Sequence, residues 1–417
     1  MRSLIAISLL ATTTMANAAD RTWSPQEYQA DFAELCSQIG STYAYFDTKP
    51  MQWSQVCGLY RAELAQVHSR DQFVTLLEQV VDELYDPHSQ LNTNTSKSWR
   101  LVPSGTDLWA EWRDGQAVIT QVRENSDAAR SGVRAGMSVL TLNGQPIAAL
   151  VEARLGRSYP HTTAAARDWA LRSVLAGLHD IPRVLRLQVG PASSKKTTRE
   201  FSLPAKDQSF RGDNPISHSE IRPGIGYILL NDSLGNDATV PAFDAALDAL
   251  KTARGLIVDL RDTASGGNSS VARGILGRFV RAELPYQKHI LPAEETETGV
   301  RRSWLELVSP RGERYAGPVV VLVNRWTGSM GEGLAIGFDA TGAGKVVGTE
   351  MARLVGATYT IPLPNTGIRA NVPAERLQHV NGLPREQFRP VIYVDVENSA
   401  AGDDPFVLRA LEELGAR

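Results

Sequence analysis

The chain has 417 residues, 42% of them hydrophobic and 21% charged, with a formal net charge of −3. That length exceeds what one ordinary core organises, so two or three domains are expected. The near-neutral charge and the absence of a long Lys/Arg block argue against nucleic acid as the main partner.

At the N-terminus, Met1-Arg2, the apolar run Leu4 to Leu10 and the small-x-small site Ala16-Asn17-Ala18 have the layout of a secretory signal. Residues 1–19 are therefore expected to be removed and the mature protein to be periplasmic or secreted. No later apolar run reaches the length of a membrane span. Residues 20–97 read as a helical domain. Apolar residues recur at helical spacing in Phe32, Leu35 and Ile39, in Val56, Tyr60 and Leu64, and in Phe73, Leu76, Leu77 and Val80. Ser24-Pro25 and Ser69-Arg70-Asp71 supply helix starts. The only cysteines, Cys36 and Cys57, suggest a disulfide in an exported chain. The seven histidines show no H-x-x-x-H spacing and there is no C-x-x-C, so neither metal nor cofactor is expected. The segment closes on Asp86-Pro87-His88-Ser89, where proline imposes an extended turn just ahead of a histidine.

Residues 98–205 change to short strands at Leu108 to Trp112, Ala117 to Val122 and Val139 to Leu142, with turn signals Asp114-Gly115 and Asn143-Gly144. A helix over 164–178 and two closing strands follow. The run from Asp127 through Ser131-Gly132-Val133 and Ala135-Gly136 to Asn143-Gly144-Gln145-Pro146 resembles a PDZ domain. That resemblance implies a module that adds a peptide to a sheet edge and holds its terminal carboxylate on backbone N–H groups. The nearest loop for the carboxylate is Ser104 to Trp109, with Gly105, Leu108 and Trp109 as peptide-binding positions. A PDZ-shaped spacer without ligand is the other reading.

Residues 210–417 alternate strand and helix: Gly224 to Leu230, Val240 to Ala253, Gly255 to Leu260, a helix after Gly266-Gly267, Val319 to Val323, a helix from Ser329 and a strand at Val346-Val347-Gly348. Repeated βαβ units imply a largely parallel sheet. The buried run Val319 to Val323 breaks at Thr327-Gly328-Ser329-Met330-Gly331-Glu332, which sets a serine at a helix N-terminus, where free N–H groups favour a developing oxyanion. An ordinary N-cap serine is the plainer reading. The spacing is not that of the G-x-S-x-G elbow. Asp259 to Gly267 ends another buried strand in a Gly-Gly turn. The N–H of Gly266 or Gly267 together with that of Met330 would make the two halves of an oxyanion hole.

Taken in order, these segments resemble the tail-specific (carboxyl-terminal-processing) and tricorn-core serine peptidases. The resemblance implies an α/β protein: a crotonase/Clp-like parallel-sheet catalytic domain preceded by a helical segment and a PDZ-like β-rich domain. It also separates two kinds of general base. The Ser/Lys branch carries a lysine in a Gly-Lys-Gly turn, but the corresponding place here is Leu354 in Met351 to Gly356. Arg353 stays protonated and cannot accept a proton, and Lys345 lies before the strand, facing solvent. The tricorn-like branch takes a histidine from Asp-Gly-His-Ser/Thr, which Asp86-Pro87-His88-Ser89 matches except for proline. His88 is then the expected base for Ser329, a turn histidine being the alternative, while His161, His179, His218, His289 and His379 read as surface or core residues. Glu332, in a Ser-x-x-Glu match, is the favoured carboxylate to orient the imidazole, and Glu375 is the second choice. The expected function is hydrolysis of peptides or unfolded proteins through an acyl-enzyme on Ser329. A catalytically silent peptide- or lipid-binding protein on the same fold is the competing reading.

Overall fold

The computed structural model describes residues 22–158, 163–189, 197–205, 214–396 and 404–416. The signal-like segment 1–19 and His161 lie outside the described residues. No helix among the described residues is long and apolar enough to cross a membrane.

Helix Pro25–Thr42 starts at a capping box in which Ser24 Oγ accepts the Glu27 N–H and the Glu27 carboxylate accepts that of Ser24. Its Phe32, Leu35 and Ile39 are fully buried against Val56 of helix Trp53–Arg61 and against Phe73, Leu77 and Val80 of helix Arg70–Asp82. The Cys36–Cys57 disulfide joins the first two helices. The cap shares its core with the rest of the chain. Ile361, Leu363, Ile368, Ala370 and Val372 complete it, and the buried Asp31 carboxylate accepts the N–H groups of Asn365 and Thr366 at 3.0 and 2.7 Å.

After the Asp86–Ser89 turn, strand Gln90–Leu91 pairs antiparallel with Arg369–Gln378. This opens a sheet with no counterpart in the sequence reading. It continues from Arg369–Gln378 to Leu284–Leu291 and Arg302–Val308, while Ala357–Pro362 pairs with the other side of Arg369–Gln378.

The middle unit is an antiparallel sheet in the order Leu108–Arg113, Gln116–Val122, Ser138–Leu142, Arg183–Val189, Thr197–Leu203, with the short Gln145–Pro146 beside Ser138–Leu142. Helix Ala164–Ala176 packs beside its first strand.

The third unit holds the parallel sheet. Strands Ile225–Leu230, Gly255–Asp259, Val319–Val323, Lys345–Gly348 and Ile392–Tyr393 run parallel in neighbouring order, and Ile216–Arg222 adds an antiparallel edge. Gly255–Asp259 and Val319–Val323 are buried along their whole length because helices cover both faces, which is why they read as unbroken apolar runs. Helices Thr239–Ala249, Ser269–Leu276 and Met330–Thr341 pack on one face and Pro405–Glu413 on the other. The functional turns leave the carboxyl ends of the two central strands, the edge at which open parallel sheets present their sites.

Candidate active site

Ser329 stands between the Val319–Val323 strand and the helix that begins at Met330. Its backbone is at φ 49°, ψ −113°, a left-handed conformation that costs a non-glycine residue roughly 1–3 kcal/mol. The turn is held open by neighbours with no room to spare. A Cβ on Gly328 would lie 2.7 Å from the Ala264 carbonyl oxygen, and one on Gly331 would lie 2.2 Å from Thr263 Oγ1.

His88 reaches this serine from the helical cap. Its Nε2 lies 3.1 Å from Ser329 Oγ, and its Nδ1 lies 2.8 Å from the Val355 carbonyl oxygen. A carbonyl can only accept, so Nδ1 carries the proton and Nε2 presents its lone pair to the serine hydroxyl. The Asp86 carboxylate fixes the turn, accepting the His88 N–H at 2.9 Å and the Tyr43 hydroxyl at 2.8 Å. Burial and the nearby Arg385 guanidinium hold the His88 pKa below its ordinary value, against the pull of the Val355 carbonyl and Asp86.

Neither expected carboxylate orients His88. Glu332 is fully buried, and its oxygens accept the backbone N–H groups of Ser329 (3.0 Å), Arg353 (2.9 Å) and Leu354 (3.1 Å). It therefore braces the serine turn against the 353–355 loop that offers the Val355 carbonyl. Burial pushes its carboxyl up to about 7, opposed by Arg385 and those three donors. Glu375 is engaged elsewhere, accepting from His289 Nδ1 at 2.7 Å and from the Tyr359 hydroxyl at 2.6 Å.

The Gly-Gly turn comes against the serine as expected. A Cβ on Gly266, where φ is +67°, would fall 2.4 Å from Ser329 Cβ and 3.0 Å from the Met330 nitrogen. The Gly266 N–H donates to the Thr263 carbonyl at 3.1 Å, whereas no backbone carbonyl among the described residues accepts from Gly267 or Met330. Of the two glycines, Gly267 is thus the one whose N–H is not taken up by the turn itself. Gly267 itself is wedged against the Leu234 carbonyl carbon, which a Cβ would approach to 2.0 Å.

The peptide-binding positions expected in the middle unit are closed. Gly105 N–H donates to the Leu101 carbonyl (2.7 Å) and Leu108 N–H to Thr106 Oγ1 (3.3 Å). Leu108 and Trp109 are buried, Trp109 against Ala264 and Trp326 of the parallel-sheet unit. The loop is spent on the contact between units, which the Trp326 indole N–H also joins by donating to the Thr106 carbonyl at 2.8 Å.

Lys345 is exposed at the first position of its strand and lies 3.1 Å from Glu413. No group of His, Cys, Asp and Glu among the described residues is arranged to hold a metal ion. Two features escaped the sequence reading. The Val355 carbonyl acts through backbone, which leaves no residue signature. Glu386 is a half-buried residue whose carboxyl is raised by burial and whose Oε2 is an unpartnered buried atom beside Tyr45 and Asp86. A carboxylate in Pro384-Arg385-Glu386 carries no motif.

Residues 224–389 match peptidase family S41 and residues 24–82 the tricorn protease C1 domain. Tricorn protease homolog 1 of Streptomyces coelicolor (strain ATCC BAA-471 / A3(2) / M145) is 24% identical over 336 residues, 78% of this chain, and the chain spans 28% of that relative's length. Among solved structures, the photosystem II D1 C-terminal processing protease shares 19% identity at a TM-score of 0.56, covering 93% of this chain and 97% of its own. Mature CPAF shares 15% at a TM-score of 0.61, covering 94% and 97%. At these identities the two structures speak to fold. The two matched domains and the curated relative support a tail-specific or tricorn-like peptidase of family S41.

Proposed function

We propose that this protein is an exported serine peptidase that cleaves peptides or unfolded proteins through an acyl-enzyme on Ser329, with His88 as general base. The observation that carries the proposal is the pair of contacts made by one imidazole, Nδ1 to the Val355 carbonyl and Nε2 to Ser329 Oγ. In this reading Nε2 takes the hydroxyl proton as Oγ attacks the scissile carbonyl, and the proton then passes to the leaving amine. The oxyanion is received by the N–H groups of Gly267 and Met330, which the helix N-terminus reinforces. Asp86 and the Val355 carbonyl stabilise the transient imidazolium. We read the middle unit as PDZ-like and the parallel-sheet unit as crotonase/Clp-like. Export draws support from the N-terminal pattern and from the Cys36–Cys57 disulfide, a bond that persists in oxidising compartments.

A fluorophosphonate probe tests the nucleophile. Wild-type protein is expected to label and Ser329→Ala to remain unlabelled at equal thermal stability. Labelling that persists in Ser329→Ala would remove Ser329 from the reaction.

A further inference from the structure

The 353–356 loop, which offers the Val355 carbonyl to His88, is held from two sides. Its N–H groups at Arg353 and Leu354 donate to Glu332 at 2.9 and 3.1 Å. Its carbonyl groups are held by Arg385. One terminal nitrogen of that guanidinium, Nη2, lies 2.8 Å from the Leu354 carbonyl oxygen and 2.8 Å from that of Gly356. Nη2 carries two protons, one for each acceptor. The carbonyl between them, that of Val355, is the one left for His88 Nδ1, also at 2.8 Å.

Arg385 is 2% exposed, and every hydrogen bond its side chain makes among the described residues goes to these two carbonyls. Glu332 and Glu386 feel its charge without pairing with it. A guanidinium is costly to bury away from a paired carboxylate. One that leaves its buried Nε unpartnered while Nη2 bonds twice is placed for the backbone it grips. The segment that carries it is fixed: Pro384 bridges to Gln378 of the Arg369–Gln378 strand, and the Gln387 and Phe388 N–H groups donate to the Pro384 and Arg385 carbonyls at 3.0 and 3.1 Å. The gripped loop has no slack at Gly356, where φ is +63° and a Cβ would lie 2.2 Å from the Glu375 carbonyl oxygen. A neutral imidazole can carry its proton on either nitrogen, and a fixed carbonyl at Nδ1 decides which. Were that carbonyl to drift, the Nε2–H form would compete, and that form has no lone pair to offer Ser329 Oγ.

We propose that Arg385 is a positioning residue: by holding the Leu354 and Gly356 carbonyls it fixes the Val355 carbonyl on His88 Nδ1 and so selects the tautomer that can act as base. This rests on the peptidase reading for the role of Nε2, and a spectroscopic readout separates the two. Full-length protein labelled with ¹⁵N-histidine, with the His88 signals assigned by their loss in His88→Ala, would be compared at mildly alkaline pH with Arg385→Met and Arg385→Lys. Protonated and bare ring nitrogens differ widely in ¹⁵N shift. Wild type is expected to show His88 as the Nδ1–H form alone. R385M should show a mixture of both forms. So should R385K, because the lysine stem is one bond shorter and its ammonium keeps the charge but falls short of the two carbonyls. At temperatures where each variant remains folded, fluorophosphonate labelling of Ser329 should slow roughly 10- to 100-fold, and peptide turnover should lose kcat with little change in KM. If R385M does not fold, R385K decides alone. A pure Nδ1–H form that persists in R385K, a mixture already present in wild type, or a mixed variant that labels at the wild-type rate would overturn the proposal. A tautomer that follows Arg385 in a protein whose Ser329 never labels would leave the clamp standing and end the peptidase reading.

Discussion

In the proposed mechanism His88 acts through a protonation state set by its surroundings. Because burial and Arg385 lower its pKa, the neutral base form persists to a pH below the ordinary histidine value of about 6.5. The sign follows: activity needs unprotonated Nε2, so the His88 limb of the kcat/KM profile should lie on the acid side of 6.5. Glu332 adds a second limb, since its carboxyl titrates at about 7 and protonation removes an acceptor from one of its three backbone donors. Glu332→Gln cannot titrate, so its profile should keep only the lower limb, which a pH–rate series on wild type and E332Q would check. His88→Ala should lower kcat roughly 10²- to 10⁴-fold, while Lys345→Ala, 64% exposed at its side chain and paired with Glu413, should change it little. A profile governed by Lys345 would move the base to the other branch of the family. At this scale the sequence marked the two side chains that the fold brings within 3.1 Å of each other: Ser329 after a buried strand, His88 after a proline. It was silent on Val355, because any residue supplies a carbonyl. It misled on Glu332, because Ser-x-x-Glu spacing fits a carboxylate bonded to the serine's own N–H as well as one aimed at a histidine.

Among elements, the turns at the ends of two adjacent parallel strands do the positioning. Leu256 to Asp259 run in register with Val319 to Leu322, so the Gly-Gly turn and the serine turn emerge side by side and Gly266 lies against Ser329. Gly266→Ala meets two penalties, a φ of +67° and a Cβ placed 2.4 Å from Ser329 Cβ. The chain there must shift, and with it the Gly267 N–H. The expected outcome is loss of most kcat, of the order of 10²-fold as for a lost oxyanion donor, with a small change in melting temperature. Unchanged kcat in G266A would show that this turn does not serve the reaction. The strands that form this arrangement were legible because burial on both faces writes them as apolar runs. The sheet of Leu284–Leu291, Arg302–Val308 and Arg369–Gln378 was not. Its strands mix polar residues into both faces, as in Lys288 and His289, and the buried His289 is bracketed by Glu306 on the next strand and by Glu375, 86 residues away in sequence. No local periodicity records such a pairing.

Across the whole molecule, His88 and Ser329 come from units 241 residues apart, so in the proposed mechanism activity depends on how firmly the cap is seated. Its attachments include the Gln90–Leu91 strand beside Arg369–Gln378, the Asp31 carboxylate on the Asn365 and Thr366 N–H groups, the Arg376 guanidinium on the Ala44 carbonyl, and a shared apolar core. The Cys36–Cys57 bridge, spanning 21 residues, stiffens the cap internally and touches neither reacting group. On the loop-entropy account it stabilises the cap by about 3 kcal/mol, whereas the parallel-sheet unit holds no cysteine and gains nothing from it. Replacing both cysteines by serine should therefore uncouple the two halves of the site on heating. The double variant is expected to lose hydrolysis several degrees below wild type while the parallel sheet remains folded, with amide exchange rising first in Pro25–Thr42 and Trp53–Arg61. Simultaneous loss of protection in the cap and in Val319–Val323 would instead mean that the units melt as one, and that the imidazole is held by the molecule's global stability rather than by the cap's own.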